Sequence, residues 1–394
     1  MLPRQRQRLL LRHRVNSKKV FVGLSGGVDS AVSAALLKRE GYEVTGVFIK
    51  IQIPGYPCPA AADRRCAMRV AAHLDIPFIE IDLSKEYQEA VFNISIAEFA
   101  KGRTPNPDAL CNREIKFGAF FDFAKSREAD FIATGHYAQT ASAHTLSQKS
   151  SGRLRPQSEP VGFQTFAQES VPTHLLAGAD SNKDQSYFLW AVHETQLRHT
   201  LFPVGHMYKE QVRNLAAQFH LPNATRPDSQ GLCFLGDISI PQMLGRELHP
   251  TPGDVLSEVG DVIGKHKGAQ LYTLGERHGF ELVSNTPHMP MHFVIAKDII
   301  KNTITVSQSR FPQHARSTKI ILHDANWIGT VASTPYMVRF RYRQALIPAR
   351  LQIDDKKVTV TLEEPHYVPL GQSLVLYDKD RCLGGGTVDA VYLT

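Results

Sequence analysis

Residues 21–32 read FVGLSGGVDSAV. Phe21 to Leu24 are apolar and suit a strand that starts near Lys18. The run after Asp29, DSAVSAALLKREG, suits a helix ending at Gly41. Two glycines lie between, and a glycine lets the backbone approach an anion with no Cβ in the way. The first amides of a helix have no intrahelical partner and point at whatever sits in front of them. Ser25 and Ser30 add hydroxyl donors. No Lys follows the glycines, as it would in the common nucleotide-binding loop. Asp29 repels phosphate, so it makes sense as an amide partner or through a cation such as Mg²⁺. The alternative is a plain structural turn.

Outward from this loop, strands and helices alternate up to about residue 138. EVTGVFIKI, PFIEIDLS and ADFIATGHYA suit strands. AADRRCAMRVAAHLD suits a helix with Ala67, Val70, Ala71 and Leu74 on one face. KEYQEAVFNISIAEFAKG and REIKFGAFFDFAKSR suit two more. This alternation predicts a parallel sheet covered by helices, with ligands beyond the carboxyl ends of its strands. Residues 141–172 are rich in Ser, Gln and Pro and read as a surface insertion. KEQVRNLAAQF, at 209–219, reads as a helix. A Gly-rich β segment spans about 252–284, and short strands run from about 291 to the end, as in a small antiparallel barrel.

The totals narrow the class. The chain has 394 residues, 42% of them hydrophobic and 21% charged, which suits two or three globular domains. No apolar stretch is long enough for a membrane span. A net charge of +7 fits either a polyanion partner or simply a basic protein. The N-terminal MLPRQRQRLLLRHRVNSKK is Arg-rich and reads as a flexible basic tail, with a transit peptide or a nucleic-acid arm as alternatives. Five cysteines occur without a C-x-x-C pair, which argues against a zinc site, an iron–sulfur cluster or a secreted disulfide scaffold.

Two of those cysteines stand in notable contexts. In TPNPDALCNREIKF, Pro105 and Pro107 stiffen the approach to Cys111. Asn112 is expected to cap a helix starting near Arg113, with Arg113 and Lys116 close to the thiol. Cys111 is then either a nucleophile or resolving thiol, or a small buried hydrophobe. Cys233 lies in the loop RPDSQGLCFLGD and is either an accessible thiol or a packed one. In RFRYRQ, strand alternation predicts Arg339, Arg341 and Arg343 on one face with Tyr342 beside them, suited to phosphate contact and stacking or to a solvated surface.

GLSGGVDSAV resembles the PP-loop of ATP pyrophosphatases, which split ATP between its α- and β-phosphates. That accounts for the absent Lys: such a loop grips pyrophosphate while AMP is transferred. Together with GRTPNPDALCNREIKFG, ATGHYA, NKDQSYFL, FPVGHMYKEQVR, DSQGLCFLG, GKHKGAQLYTLGERHGF, RFRYRQ and PLGQSLVLYD, it resembles the bacterial-type tRNA 2-thiouridylases from Lys18 onward.

The resemblance implies an α/β chain of three parts: a parallel-sheet PP-loop (adenine nucleotide alpha-hydrolase-like) N-terminal domain, a small central domain and a C-terminal antiparallel β-barrel. The expected boundaries are a basic tail at 1–17, a catalytic domain at 18–220 with the insertion at 141–172, a Gly-rich β domain at 221–288 and a tRNA-binding barrel at 289–394. Gly23, Leu24, Ser25, Gly26, Gly27, Val28, Asp29 and Ser30 are implied to bind ATP, with Ile49 and Gly135 near the nucleotide. Asn106, Pro107 and Asp108 are implied to meet the target base. His136, Lys183, Asp184, Gln185, Arg341, Tyr342 and Gln372 are implied tRNA contacts.

In that family Cys233 carries the persulfide and Cys111 is the second catalytic thiol. The implied reaction is ATP-dependent 2-thiolation of the wobble uridine (position 34), with ATP, Mg²⁺ and persulfide sulfur. The implied partners are tRNAs for Lys, Glu and Gln and a cysteine desulfurase or sulfur-relay protein. A cytoplasmic monomer is expected. The alternatives are another PP-loop tRNA enzyme such as a lysidine synthetase, which needs no thiols, and a non-enzymatic nucleotide-sensing RNA binder. Two departures stand out. Glu276 replaces the family's usual Gln, which puts nearby tRNA contacts in doubt, and the region around Cys58 is short. Cys58, Cys66 and Cys382 have no assigned chemistry.

Overall fold

The computed structural model describes residues 18–56, 60–142, 173–228, 238–283, 290–310, 317–355 and 357–392. The basic tail, Cys58, most of the 141–172 insertion and Cys233 lie outside them.

In chain order the first unit supplies strands β1 (Lys19–Gly23), β2 (Glu43–Lys50), β3 (Phe78–Asp82), β4 (Phe131–Ala133), β5 (Ala138–Ser142), β6 (Thr173–Ala177) and β7 (Thr200–Leu201). Five of them form the sheet β3-β2-β1-β4-β7, with every pairing parallel. A parallel sheet is stable only with both faces covered. Helices α1 (Val28–Arg39) and α2 (Ala60–His73) cover one face. Ala31, Ala34, Leu36 and Leu37 of α1 are buried there, as are Ala67, Val70 and Ala71 of α2, while Leu74 packs partly buried just beyond. The helix α3 (Pro107–Cys111) lies in the second core, and the chain continues through a π-helical stretch Asn112–Ala119. Helix α4 (Lys209–Gln218) packs Val212 and Ala216 into the core beneath α1.

The chain runs from β1 to β2 on one side and places β4 on the other, so strand order reverses at β1 and β4. Such a switch point opens a crevice at the carboxyl ends of the strands. The Ser25–Ser30 loop and Gly135 both emerge there.

Strands β8 (Gly253–Leu256), β9 (Val262–His266), β10 (Phe280–Leu282), β11 (Phe293–Asp298) and β12 (Thr303–Ser307) form a central sheet, ordered β10-β9-β8-β12-β11. This corrects the expected boundary at 288/289. Thr303, Ile304 and Thr305 pair in parallel with Asp254, Val255 and Leu256, and Val294, Ile304 and Val306 share one core with Val255. The two strands expected to open the barrel therefore complete the central unit. The expected boundary at 220/221 shifts too, because Asn223 and Arg226 bond to the loop of the first unit. Helix α5 (Ile240–Leu248), capped by Ser239, follows.

The last strands are β13 (Ser317–Trp327), β14 (Pro335–Arg339), β15 (Ile347–Asp354), β16 (Lys357–His366), β17 (Ser373–Asp378) and β18 (Arg381–Tyr392). They run β13-β16-β15-β14-β17-β18, and β13 pairs with β18 to close an antiparallel barrel. Closure removes the sheet edges. The hairpin β5–β6 joins this barrel through Leu175 and Leu176, paired with Cys382 and Arg381. The first unit and the barrel are thus stitched by shared strands. Among the described residues no helix is long and apolar enough to cross a membrane.

Candidate active site at the loop after the first strand

The loop is held by its own serines and by side chains from distant parts of the chain. Gly26 has φ +80°, and a Cβ there would stand 2.6 Å from the Asp63 carbonyl oxygen. Its carbonyl accepts from Asn223 Nδ2 at 2.9 Å, from Arg226 at 3.2 Å and from Cys66 Sγ at 3.2 Å. Arg226 is in turn ion-paired with Asp63. Turning this carbonyl outward leaves the neighbouring amides for an anion. Gly27 caps α1 without any side-chain acceptor, so the first-turn amides face the crevice.

Ser25 and Ser30 brace the loop. Ser25 Oγ accepts from the Gly27 amide at 3.3 Å, and Ser30 Oγ donates to the Gly27 carbonyl at 3.1 Å. Ser30 is buried and Ser25 exposed, so of these hydroxyls only that of Ser25 is open to an incoming group. Leu24 and Val28 bury their side chains and offer only backbone. A Cβ on Gly135 would lie 2.7 Å from the Ser30 nitrogen and 2.8 Å from the Asp29 carbonyl carbon. Glycine there lets the end of β4 press against the start of α1. Ile49 sits half-buried near the carboxyl end of β2, paired with Ile81.

Asp29 is neither bare nor an amide partner. Lys209, the first residue of α4, places Nζ 2.7 and 2.9 Å from its two oxygens, and Tyr137 donates to it at 2.9 Å. Lys209 also meets Asp228 at 2.8 Å, and its amide donates to Asp180 at 3.0 Å. Asp228 further pairs with Lys183 at 2.7 Å and Arg213 at 2.6 Å. Burial opposes its ionisation, but the hydrogen bonds from Lys183 and Lys209 prevail and hold its carboxyl well below the usual range. Burial, then the Asp29 charge, pushes the Tyr137 hydroxyl up, so it stays a donor. The cation absent from the loop's own sequence thus comes from a residue 180 positions away. Sequence spacing gives no signal for that.

Asn106, not Asn112, caps the helix that bears Cys111. Its Oδ1 accepts from the Ala109 amide at 3.2 Å, with Pro107 at the first helical position. Cys111 is therefore in the second turn, fully buried, rather than beside the first amides. Arg113 is bonded to Glu114 at 2.6 Å. Asn112 instead donates to the Phe188 carbonyl at 2.9 Å. Burial pushes the Cys382 thiol up to about 12.

The residues expected to meet tRNA gather at the seam between the first unit and the barrel. Asn106 Nδ2 donates to Ser373 Oγ at 3.1 Å, and Tyr187 OH donates to Gln372 Oε1 at 3.0 Å. Pro107 and Asp108 follow Asn106 in the first turn of α3. The Tyr342 and Phe188 ring centroids are 4.8 Å apart, and the Arg343 guanidinium lies 5.0 Å from the centre of the Tyr342 ring. Arg341 is half-buried, and both Arg341 and Arg310 come within 4 Å of a Cβ built on Gly275, so the two cations meet where the central unit joins the seam.

One expectation fails here. Arg339, Arg341 and Arg343 do not share a strand face, because β14 ends at Arg339 and Arg343 sits in a turn at φ +60°. Asp184 is buried and ion-paired with Arg339 at 2.6 Å. With Lys183 on Asp228 and Gln185 accepting from the Tyr137 amide at 3.0 Å, the turn at 183–185 is a structural knot. His136 is buried between Phe117 and Phe202 and bonded to Thr134 at 2.8 Å. Burial, then Lys116, holds its pKa well below 6.5, so it is neutral. Glu276 likewise turns inward. It accepts from the Thr273 amide at 2.9 Å and faces Lys297.

Family models match the chain in three consecutive pieces: the tRNA methyl transferase HUP domain at residues 18–237, its PRC-barrel domain at 241–308 and an aminomethyltransferase beta-barrel domain at 317–388. The tRNA-specific 2-thiouridylase MnmA of Nitrosomonas europaea is 39% identical over 388 residues, covering 95% of this chain and 99% of that protein. That of Lacticaseibacillus paracasei is 38% identical over 382 residues, covering 95% of each. The chain belongs to the tRNA-specific 2-thiouridylase family.

For a member of this family the seam and the loop are the two places of interest. Residues read from sequence as ATP-binding converge on one crevice, through backbone more than side chain. Residues read as tRNA-binding converge on one seam, though Asp184 and His136 lie inside it. Lys209, Asp228, Arg226, Asn223 and Cys66 complete the crevice, and none of them is among the site residues expected from the sequence.

Proposed function

We infer that this protein is an ATP-dependent tRNA sulfurtransferase that converts the wobble uridine (position 34) to 2-thiouridine. The observation that carries the reading is near full-length kinship with 2-thiouridylases, together with a pyrophosphate-type loop set at the switch point of a parallel sheet. The outward-turned Gly26 carbonyl and open first-turn amides of α1 suit the departing pyrophosphate of ATP. Mg²⁺ would come with ATP, held mostly by phosphate oxygens. Asp29, bonded to Lys209 and Tyr137, is the loop carboxylate that would meet it.

A uracil carbonyl oxygen leaves poorly. Attack of the uridine O2 on the α-phosphate forms the O–P bond and releases pyrophosphate. A persulfide on Cys233 then adds its terminal sulfur to C2, and AMP departs. Attack of Cys111 on the Cys233 sulfur forms the enzyme disulfide and leaves the thiocarbonyl on the base, and an external reductant resets the pair. Cys111, in a short helix braced by Asn106 against the barrel, is suited to a fixed position beside the base. Tyr342, Phe188 and the Arg310–Arg341 pair suit a flipped anticodon base and its phosphates. A cysteine desulfurase or relay protein supplies the sulfur, and the tRNAs for Lys, Glu and Gln are the substrates.

The test is to incubate the protein with ATP, Mg²⁺, a cysteine desulfurase with L-cysteine, and tRNA, and to analyse the nucleosides by mass spectrometry. 2-Thiouridine with AMP and pyrophosphate is expected, and Cys233→Ser abolishes the product. Release of ADP and phosphate, or sulfur-free tRNA, defeats the reading. Lysine joined to a cytidine instead would identify a lysidine synthetase.

A further inference from the structure

Gln372 sits where the barrel meets the first unit, and its backbone is fixed there. Gly371, just before it, has φ +82°, and a Cβ on it would stand 2.9 Å from Arg103 Cβ and 3.1 Å from the Thr104 nitrogen. The Gly371 amide donates to the Val388 carbonyl at 2.8 Å, and the Val388 amide donates to the Gln372 carbonyl at 2.9 Å. The Gln372 side chain is held as well. Its Oε1 accepts from the Ser373 amide at 3.1 Å and from the Tyr187 hydroxyl at 3.0 Å. A backbone amide can only donate, so the atom facing it is the oxygen, and the Gln372 NH₂ faces the other way. Among the described residues that NH₂ has no hydrogen-bond partner, and it is not enclosed.

Tyr187 comes from a different part of the fold. It lies in the 3-10 turn Ser186–Phe188 and is 1% exposed. Burial pushes its hydroxyl up against the opposing pull of Arg339, Arg341 and Asn106, so it keeps its proton and stays a donor. Arg341 is close enough to act on that hydroxyl, so a cation and the outward NH₂ share this corner of the seam. The same turn holds the Cys111 helix. Asn112 donates to the Phe188 carbonyl at 2.9 Å, and Asn106 donates to Ser373 Oγ at 3.1 Å. Gln372 and that helix are thus fixed to one another through Tyr187, Phe188 and Ser373.

We propose that Tyr187 is a positioning residue for tRNA capture: its hydroxyl holds the Gln372 amide with the oxygen inward, so that the NH₂ donates to a phosphate oxygen of the RNA. This deepens the thiolation reading and rests on it. An NH₂ has two donors and no acceptor, which suits phosphate, and Arg341 supplies the positive charge beside it. Tyr187 touches no RNA in this account and acts through Gln372. A hydroxyl that only satisfies the core would lower stability when removed and leave the affinity for tRNA alone.

The experiment is a double-mutant cycle on the full-length protein, reading the KM for tRNA and the KM for ATP in 2-thiouridine formation with a cysteine desulfurase and L-cysteine. Tyr187→Phe keeps the ring and removes one of the two bonds on the Gln372 oxygen, and the KM for tRNA is expected to rise about fivefold. Gln372→Leu removes the donor itself, and its KM for tRNA should rise about tenfold or more. The double variant should stay within about twofold of Gln372→Leu, because Tyr187 has nothing left to orient. The KM for ATP should be unchanged in all three. Gln372→Glu keeps the inward oxygen and turns an anion outward, so its KM for tRNA should exceed that of Gln372→Leu, and it carries the test if Tyr187→Phe fails to fold. Multiplying effects in the double variant, a Tyr187→Phe KM for tRNA equal to wild type, or a Gln372→Glu no worse than Gln372→Leu overturns the proposal. A wild type that makes no 2-thiouridine defeats the thiolation reading and the proposal with it, and that control tells the two failures apart.

Discussion

Replacing Asp184 by Asn tests whether the seam between the first unit and the barrel rests on one buried ion pair. Asp184 Oδ2 accepts from Arg339 at 2.6 Å, and Oδ1 accepts from the Gly178 and Ser186 amides at 3.0 Å each. The two side chains are only 6% and 10% exposed. Asn keeps the acceptor for both amides but turns an NH₂ toward a guanidinium that has only donors. Arg339 is then a buried cation without its counter-charge. Removing one member of such a pair costs about 3–5 kcal/mol. The Tyr377 ring, 4.4 Å from the guanidinium, still offers cation–π attraction, which puts the expected loss near the lower end, at about 3 kcal/mol. Urea unfolding followed by tryptophan fluorescence suits this seam, since the Asn326 side chain of β13 donates to the Trp190 carbonyl at 2.8 Å and Trp327 adjoins it. With a slope of about 3 kcal/mol per molar urea, the midpoint should fall by about 1 M. The double variant Asp184→Asn/Arg339→Met removes the stranded charge and should recover most of that loss. A midpoint shift below about 0.2 M, or a double variant as unstable as Asp184→Asn alone, refutes the reasoning.

Gly135→Ala places a Cβ 2.7 Å from the Ser30 nitrogen, and backbone cannot yield as a flexible side chain can, so the loop must shift. The KM for ATP should rise by about tenfold or more, since small misplacements at a reacting centre are costly, and an unchanged ATP titration would show that the close approach has no bearing on nucleotide. His136 is held neutral in the fold with its pKa below 6.5, whereas the unfolded chain protonates it at about that pH. Its contribution is therefore complete above about pH 6.5 and is lost as pH falls toward the folded pKa, by up to about 1.4 kcal/mol per pH unit. His136→Gln should flatten the stability profile between pH 5 and 6.5, and an equally steep profile in the variant would rule out this histidine as its source.

Much of the architecture is legible in the chain because its causes are local. The SGGVDS turn, the apolar strands around it and the Ala67–Val70–Ala71 face are read from neighbouring residues, and each is where it was expected. From the sequence Asn112 is the expected cap of the Cys111 helix, whereas Asn106 caps it and is tied by its other side-chain atom to Ser373 of the barrel. The central sheet was cut too early because Phe293–Asp298 and Thr303–Ser307 look like any other strands. Which sheet they join is decided by the parallel pairing of Ile304 with Val255.

The sequence by itself determined the phosphate-type loop, the α/β class and the family to which the chain belongs. These depend on residue type and short spacing. Only the tertiary structure decided how the loop's charges are balanced and how its parts are joined. Lys209 is 180 residues from Asp29, and 155 residues separate Asp184 from Arg339. Those partners meet because burying a charge is costly unless an opposite charge arrives with it, and folding alone can bring one from that distance.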